Sequence, residues 1–292
     1  MPKPYSKDHL NIVKLENLAL RLGFPFSVLQ NAAQKAETSY RFRKEPKSSG
    51  KGFRDISEPK YLLKKIQQSI HKLLLEIKVS DSAHCGIKKR SNLTNAKHHC
   101  KKQWLFSLDF KDYFPHISNN RVYTLFLHEL NCIPEVASLL TRLGTVRRQV
   151  PQGGPMSMDI ANLVCRELDK RIEGLTAKYG LVYTRHCDDI NISGKAIPES
   201  FKKQAKEIIR QSGFPLNTDK ESLTNNADGH SVVGLSVNRK RPNVARNIKR
   251  GWRKEKYKFD QFEAHDLPAA ERVRREQKIK GRESYVKYIE AL

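Results

Sequence analysis

The sequence predicts an α+β protein, and three patterns lead to this fold class. Apolar residues recur every three or four positions in several segments, as they do in amphipathic helices. The apolar run WLFSLDF at 104–110 is typical of a buried strand. The segment LVYTRHCDDINIS at 181–193 has two β-prone runs around a tight centre, which predicts a hairpin.

Length, charge and cysteine content limit the class of protein. The 292 residues suffice for one large or two small domains with a real core. Lys and Arg outnumber Asp and Glu by 55 to 31, a net charge of +24, so we expect a polyanionic partner. Mean hydropathy is −0.65, and no apolar run approaches the roughly 20 residues of a spanning helix, so we expect a cytoplasmic protein without a membrane partner. The five cysteines form no Cys-x-x-Cys pair, which favours reduced thiols.

The first third of the chain is expected to be helical, then basic, then helical again. Two short helices fit residues 8–36, with a Gly-Phe-Pro turn between them. Residues 40–59 are basic, rich in Gly and Ser, and interleaved with aromatic residues, which predicts a hairpin or loop that contacts phosphate. Apolar residues at helical spacing predict an amphipathic helix over 59–79.

The middle of the chain alternates predicted strands and helices. The strand at 104–110 places the carboxylate of Asp109 near its end. One long helix is expected over 155–178, and another over 201–212. The run SVVGLSV at 231–237 is expected to form a single strand.

The tail at 239–292 is strongly basic and holds 17 Lys or Arg against 8 Asp or Glu. Aromatic residues alternate with the cations over this long stretch. A solvated charged helix is one interpretation of such a segment. The alternation favours the other interpretation, a helical clamp on nucleic acid.

Three acidic residues form the constellation that points to chemistry. Asp109 lies at a strand end, and Asp188 and Asp189 lie at the tip of the predicted hairpin. Three carboxylates on adjacent strands repel one another unless cations lie among them. Hard oxygen ligands suit Mg²⁺, and two such ions can activate a hydroxyl and stabilise a leaving oxygen in phosphoryl transfer. An Asp-Asp pair by itself is more often a surface turn than a metal site. The choice between these two interpretations therefore depends on the surrounding motifs.

Those motifs resemble the reverse transcriptases. SLDFKDYFPHIS at 107–118 is similar to their first palm motif, PQGGPMSMDIANL at 151–163 to their PQG motif, and LNTDKESL at 216–223 to their fourth palm motif. The resemblance implies a right-hand polymerase fold with fingers, a palm of antiparallel sheet and helices, and a short helical basic thumb. It implies a division into an N-terminal helical segment (1–40), fingers (41–105), palm (106–235) and thumb (236–292).

The resemblance also implies roles for individual residues. Asp109, Asp188 and Asp189 would be catalytic and would hold two Mg²⁺, or Mn²⁺ as a substitute, with the Phe110 backbone also in reach. Phe114 would exclude a nucleotide 2′-hydroxyl, although an ordinary core position also explains it. The residues that would bind the deoxynucleoside triphosphate, beside that phenylalanine, are Lys47, Lys51, Arg54, Gln152, Gly153 and Lys220. Lys220 matches a lysine that protonates pyrophosphate, and solvation alone would also explain the basic side chains.

Within this family the sequence resembles the retron enzymes. Asn95 and His99 in NAKHH match their Asn-Ala-x-x-His element, and Val233 and Gly234 lie in the place of their Val-Thr-Gly element. The expected RNA-binding residues are these four together with Arg246, Lys249, Arg250, Trp252 and Arg253. The resemblance implies a cognate non-coding RNA (msr-msd) as template and primer, priming from an RNA 2′-hydroxyl, branched RNA–DNA (msDNA) as product, and an effector protein in antiphage defence.

Two departures from the family pattern leave alternatives open. His186 and Cys187 replace the usual Tyr-Ala before the paired aspartates, and Val replaces Thr in the Val-Thr-Gly element. A catalytically weak RNA-binding scaffold for an effector therefore stays possible, as does a group II intron-like reverse transcriptase. A zinc site is a further alternative, because five soft ligands cluster within 17 residues: His84, Cys85, His98, His99 and Cys100.

Overall fold

The computed structural model describes residues 8–46, 52–263 and 265–291. Two short helices, α1 (Leu15–Leu22) and α2 (Phe26–Gln34), open the fold as predicted. Gly23 ends α1 with a φ of 72°, a left-handed conformation that glycine adopts without strain. Both helices bury one face in the main hydrophobic core.

A basic hairpin and a helix follow. Strands β1 (Tyr40–Pro46) and β2 (Phe53–Pro59) pair in antiparallel fashion, which confirms the predicted hairpin, and α3 (Tyr61–Leu74) comes next. The helix is shorter than the 59–79 expected, because the chain leaves helical geometry after Leu75 although buried apolar residues continue to Ile77.

The centre of the molecule is an antiparallel sheet covered by helices. The elements that lead to it and form it are α4 (Asn92–Lys97), β3 (Trp104–Asp109), α5 (Asn119–Thr124), α6 (Pro134–Gly144), α7 (Ser157–Val164), α8 (Arg166–Lys178), β4 (Val182–His186), β5 (Asp189–Gly194), α9 (Glu199–Gln211) and β6 (Ser222–Asn225). The strand order is β4-β5-β3-β6, and every neighbouring pair is antiparallel. The predicted strand at 104–110 and the predicted hairpin are therefore confirmed.

The expectation of one long helix over 155–178 was wrong. The segment forms α7 and α8, with Cys165 between them at φ −86° and ψ 0°. Cys165 is fully buried, and its Sγ lies 3.3 Å from the Tyr113 hydroxyl. The apolar spacing runs through the break without interruption, so periodicity alone does not reveal it.

The expectation of one strand over 231–237 was also wrong. Strands β7 (Ser231–Val232) and β8 (Leu235–Ser236) fold back on each other, and β9 (Asn243–Val244) completes a small sheet. Val233 and Gly234 form the turn, with φ values of 46° and 81°. Two consecutive positive φ angles match the twist of a tight hairpin, which explains the reversal.

The basic tail forms two helices, α10 (Arg246–Lys258) and α11 (Ala269–Ala291). Ion pairs such as Lys249–Glu290 and Lys256–Glu283 show that they run antiparallel. A second, smaller core joins α4, the β7-β8-β9 sheet and the end of α11. Among the described residues, no helix combines the length and the apolar character needed to cross a membrane.

Candidate active site

The three predicted acidic residues lie at one end of the central sheet. Asp109 is the last residue of β3 and pairs in register with Asp189, the first residue of β5. The Phe110 N–H donates to the Asp188 carbonyl over 3.1 Å. Asp188 itself lies in the β4–β5 turn, next to Cys187 at a φ of 61°. The expectation that these positions, far apart in sequence, share one site is therefore confirmed.

The site concentrates negative charge. Burial, together with the charges of Asp188 and Asp109, raises the pKa of Asp189 to about 7. Burial and the charge of Asp109 also raise the pKa of Asp188. The Lys220 ammonium lies 2.8 Å from Asp109 Oδ2. Burial alone would lower the pKa of Lys220, because it disfavours the charged ammonium. The hydrogen bond to Asp109 and its charge outweigh burial, so the pKa of Lys220 is raised.

These residues fit a hard divalent cation. Three carboxylates crowded at a partly buried strand end repel one another, and oxygen donors are what Mg²⁺ prefers. Within the described ranges, no three His, Cys, Asp or Glu side chains are already arranged to hold a metal by themselves. Mg²⁺ sites commonly use one or two carboxylates and complete the coordination shell with substrate phosphates and water.

A buried ion pair that was not predicted from the sequence fixes the turn that carries Asp188. The Arg185 and Asp169 side chains are both 0% exposed, and Arg185 Nε and Nη2 donate to the two Asp169 oxygens over 2.8 Å each. Arg185 Nη1 donates to the Cys187 carbonyl over 3.0 Å. The pair thus holds the residue that precedes Asp188. The sequence signal that could have revealed this ion pair is an arginine within the predicted strand β4, because arginine is almost never fully buried unless it is paired.

A second contact also reaches this turn. Ala83 and Arg185 form a parallel bridge, and the His84 N–H donates to the Arg185 carbonyl over 2.8 Å. Two residues further on, the half-buried Cys85 and Cys187 thiols interact: Cys187 lowers the pKa of Cys85, and Cys85 raises the pKa of Cys187. The turn that carries Asp188 is therefore flanked by a thiol pair.

The PQG segment contacts the basic hairpin. The Ser57 N–H of β2 donates to the Gln152 carbonyl over 2.9 Å. Gly153 has a φ of 120°, and a Cβ there would lie 3.3 Å from the Ser57 carbonyl oxygen. Arg54 is exposed on β2, whereas Lys47 and Lys51 lie outside the described residues. The two segments assigned to the nucleotide are thus in contact, and their roles stay predictions.

Phe114 is half-buried in a short helical turn after Asp109, and its ring centroid lies 5.4 Å from that of Tyr113. The ring also packs against the main hydrophobic core. This position is compatible with both interpretations, a steric gate and a core residue.

The expectation that Asn95 and His99 contact RNA is corrected, because both are 0% exposed. The His99 ring nitrogens lie 2.7 Å from the hydroxyls of Ser193 and Thr184, and burial lowers its pKa to about 3. The neutral His99 therefore bridges β4 and β5 from the end of α4. The Asn95 amide has no hydrogen-bond partner among the described residues. In this conformation His99 supports the sheet, and Asn95 is buried within α4.

The other predicted RNA-binding residues lie on or near the surface. Val233 and Gly234 are half-buried in the β7–β8 turn. On α10, three arginines are exposed without an ion pair in the described part of the chain: Arg246, Arg250 and Arg253. Lys249 pairs with Glu290, and the Trp252 ring contacts Arg282 of α11 at 5.2 Å. Trp252 therefore joins the two tail helices.

The soft ligands of the zinc alternative have other partners. His84 Nδ1 lies 2.9 Å from the Thr94 hydroxyl, and Cys100 donates to the Ala96 carbonyl. Burial lowers the pKa of His84 to about 4. These contacts give His84 and Cys100 structural roles.

Comparisons with known proteins show what this chain is similar to. Residues 44–259 match the family described as reverse transcriptase (RNA-dependent DNA polymerase). The retron Ec86 reverse transcriptase of Escherichia coli is 28% identical over 90% of this chain and 84% of its own length. The retron Mx65 reverse transcriptase of Myxococcus xanthus is 32% identical over 66% of this chain and 50% of its own length. Apo telomerase from Candida tropicalis has a TM-score of 0.47, with 13% identity over 68% of this chain and 46% of that chain.

Proposed function

The chain belongs to the reverse transcriptases, RNA-directed DNA polymerases with the right-hand fold. We propose that it is a bacterial retron enzyme and that it copies part of a cognate structured non-coding RNA into single-stranded DNA. The observation that carries this proposal is the convergence of Asp109, Asp188 and Asp189 at the ends of β3 and β5. Such a cluster of carboxylates suits nucleotidyl transfer at a primer hydroxyl.

Each residue of the cluster has a proposed task. Asp109 and Asp188 would hold the metal ions with help from Asp189 and the Phe110 backbone. Two Mg²⁺, for which Mn²⁺ can substitute, supply activation of the primer hydroxyl and neutralisation of phosphate charge when bound. Lys220, whose ammonium neutralises Asp109 in this structure, is the proposed proton donor to the leaving pyrophosphate.

The nucleotide would lie between the PQG segment and the basic hairpin. Gln152 and Gly153 would approach the base and sugar, and Phe114 would exclude a 2′-hydroxyl. Arg54, together with Lys51, would hold the triphosphate by charge-assisted hydrogen bonds. We assign residues 1–40 to the N-terminal segment, 41–105 to the fingers, 106–235 to the palm and 236–292 to the thumb.

The proposed RNA partner is a retron non-coding RNA (msr-msd). The curated relatives are named retron reverse transcriptases, and this name is the support for branched msDNA as product, for priming from a 2′-hydroxyl and for action with an effector in antiphage defence. The net charge of +24 and the exposed arginines of α10 supply the attraction for an RNA backbone.

Primer extension tests the polymerase assignment. The purified chain would be given an RNA template, an annealed primer, deoxynucleotides and Mg²⁺. We expect the Asp188→Asn variant to lose on the order of 10³-fold in extension rate, because several kcal/mol of charge stabilisation disappear. We expect its RNA affinity to equal that of the natural chain. Asp228→Asn, at an exposed acidic residue, is the matched control and should extend normally.

The outcomes separate the alternatives. Normal extension by Asp188→Asn would refute the assignment of the carboxylates. RNA binding without extension by the natural chain would favour the scaffold, which the His186-Cys187 replacement keeps open. Sequencing of co-purified RNA should find one dominant structured species joined to DNA by a bond that a 2′,5′-debranching enzyme cleaves. Extension without such an RNA would favour a group II intron-like enzyme.

A further inference from the structure

The thiols of Cys85 and Cys187 lie directly beside the catalytic carboxylates. Both are half-buried and both are reduced in this structure. Each thiol is the largest influence on the pKa of the other, lowering that of Cys85 and raising that of Cys187. Cys187 immediately precedes Asp188, and its carbonyl accepts the Arg185 hydrogen bond. The proposed polymerase mechanism uses neither thiol.

The backbone explains why these two residues meet. Ala83 and Arg185 are partners in a parallel bridge, held by hydrogen bonds from Arg185 N to the Ser82 carbonyl (2.7 Å) and from His84 N to the Arg185 carbonyl (2.8 Å). Cys85 and Cys187 each lie two residues beyond this bridge, and Cys187 has left the extended conformation at a φ of 61°. The bridge therefore brings the two short segments that carry the thiols side by side, and a disulfide requires a Cα separation of about 4.4–6.8 Å.

We propose that Cys85 and Cys187 form a reversible disulfide that inactivates the polymerase site. With hydrogen peroxide as the oxidant, one thiol is first oxidised to a sulfenic acid and one water leaves. The second thiol then attacks that sulfur, the S–S bond forms, and a second water leaves. Two S–H bonds and one O–O bond break, the two sulfurs lose two electrons in total, and the peroxide gains them.

The inactivation follows from geometry. A disulfide has an S–S length of about 2.05 Å, well inside a hydrogen-bond contact, so the bond draws Cys187 toward the segment at Cys85. Asp188 is the next residue, and a misplacement of about 1 Å at a catalytic group costs on the order of 10²-fold in rate. The same movement strains the hydrogen bond between Arg185 and the Cys187 carbonyl.

Peptide mapping and primer extension on the full chain test this proposal. After peroxide treatment and thiol blocking, mass spectrometry should find a peptide pair joined through Cys85 and Cys187. Extension should fall at least tenfold and recover with dithiothreitol. Cys85→Ser should resist peroxide. Cys100→Ser is the matched control, because Cys100 is also half-buried and donates to the Ala96 carbonyl; this variant should be inhibited like the natural chain.

The activity readout rests on the proposed function, but the mapping does not. Absence of the linked peptide overturns the proposal whether or not the chain polymerises. Equal inhibition of Cys85→Ser and the natural chain also overturns it, since the loss would then have another cause. A linked peptide in a chain that never extends a primer would uphold the disulfide and refute the polymerase assignment instead.

Discussion

The charges of the central sheet and those of the tail are organised in opposite ways. In the sheet, Arg185 of β4 pairs with Asp169 of α8, both side chains are 0% exposed, and the pair holds the Cys187 carbonyl in place. In the tail, the charges are numerous and exposed, and the Lys256–Asp260 pair is 45% and 43% exposed. The sheet therefore depends on the position of each group, whereas the tail depends on how many cations it presents.

This contrast has an energetic side. Breaking a buried ion pair leaves a charge without a partner, which costs about 3–5 kcal/mol, while an exposed pair contributes about 0–1 kcal/mol. Several ion pairs of the tail join α10 to α11, for example Lys278–Glu255 and Arg282–Glu255. They orient the helices and leave the arginines of α10 available for phosphate.

The largest effect is expected at the buried pair. Arg185→Met should lower the free energy of unfolding by about 3–5 kcal/mol, measured by urea denaturation, because Asp169 is left buried and unpaired. The double variant Arg185→Met with Asp169→Leu should regain most of this stability. It should still extend primers slowly, since the Cys187 carbonyl has lost its donor. Full activity in a stable double variant would show that the arginine does not position the turn.

The next largest effect is expected at Gly153. An alanine Cβ would lie 3.2 Å from Ile56 Cγ2 and 3.3 Å from the Ser57 oxygen, at a φ of 120° that L-residues rarely adopt. We expect Gly153→Ala to lose about 1–3 kcal/mol of stability through this strain and to raise the KM for deoxynucleotides. Gly174→Ala on α8 is the control, because nothing lies within 4 Å of its added Cβ. If the KM of Gly153→Ala for deoxynucleotides is unchanged, the PQG segment does not take part in nucleotide binding.

The tail should respond to charge number. Replacing Arg246, Arg250 and Arg253 together by Gln should weaken RNA binding about tenfold and reduce the slope of log affinity against log salt by about 2–3, since each lost phosphate contact removes about 0.9. The control replaces an equal number of exposed lysines on α8 and α9: Lys170, Lys178 and Lys203. Equal losses in both variants would mean that only net charge attracts RNA.

The smallest effect is expected at a partly exposed pair inside the fold. His71 Nδ1 lies 2.6 Å from Asp159 Oδ2, and this hydrogen bond raises the pKa of His71, whereas burial raises the pKa of Asp159. The stability from His71 is therefore fully present below pH 6.5 and is lost as pH rises through the folded pKa. The histidine side chain is 36% exposed, so solvent screening limits the effect to about 0.5 kcal/mol.

Thermal unfolding of His71→Gln between pH 6 and 9 measures this contribution. The advantage of the natural chain over the variant should shrink as pH rises. Arg210→Gln is the control, because its partner Glu207 has a pKa lowered to about 2 by that contact and stays ionised throughout this range. A pH-independent advantage at His71 would mean that the ring contributes only packing.

The sequence predicts the acidic site well because strand ends and hairpin tips are local features. Asp109 and the acidic pair needed only the correct antiparallel register to meet. Whether a residue is buried, and which distant residue it contacts, depends on the whole fold and not on the local sequence. The expectations that failed concern these two properties. The NAKHH motif gives the identity of Asn95 and His99 but not their burial. The meeting of Cys85 with Cys187 depends on a parallel bridge that no periodicity encodes.

The hydrogen bond from Ser57 to Gln152 joins two peptide groups and involves no side chain. Substitutions at either position can therefore change what touches a nucleotide while the link between hairpin and PQG segment persists. A one-residue insertion in β2 would instead shift the alternation of its faces and replace the donor. Because this contact involves only the backbone, it tolerates side-chain substitutions but not a change in the length of β2. We therefore expect the length of β2 to vary less among related proteins than its residues do.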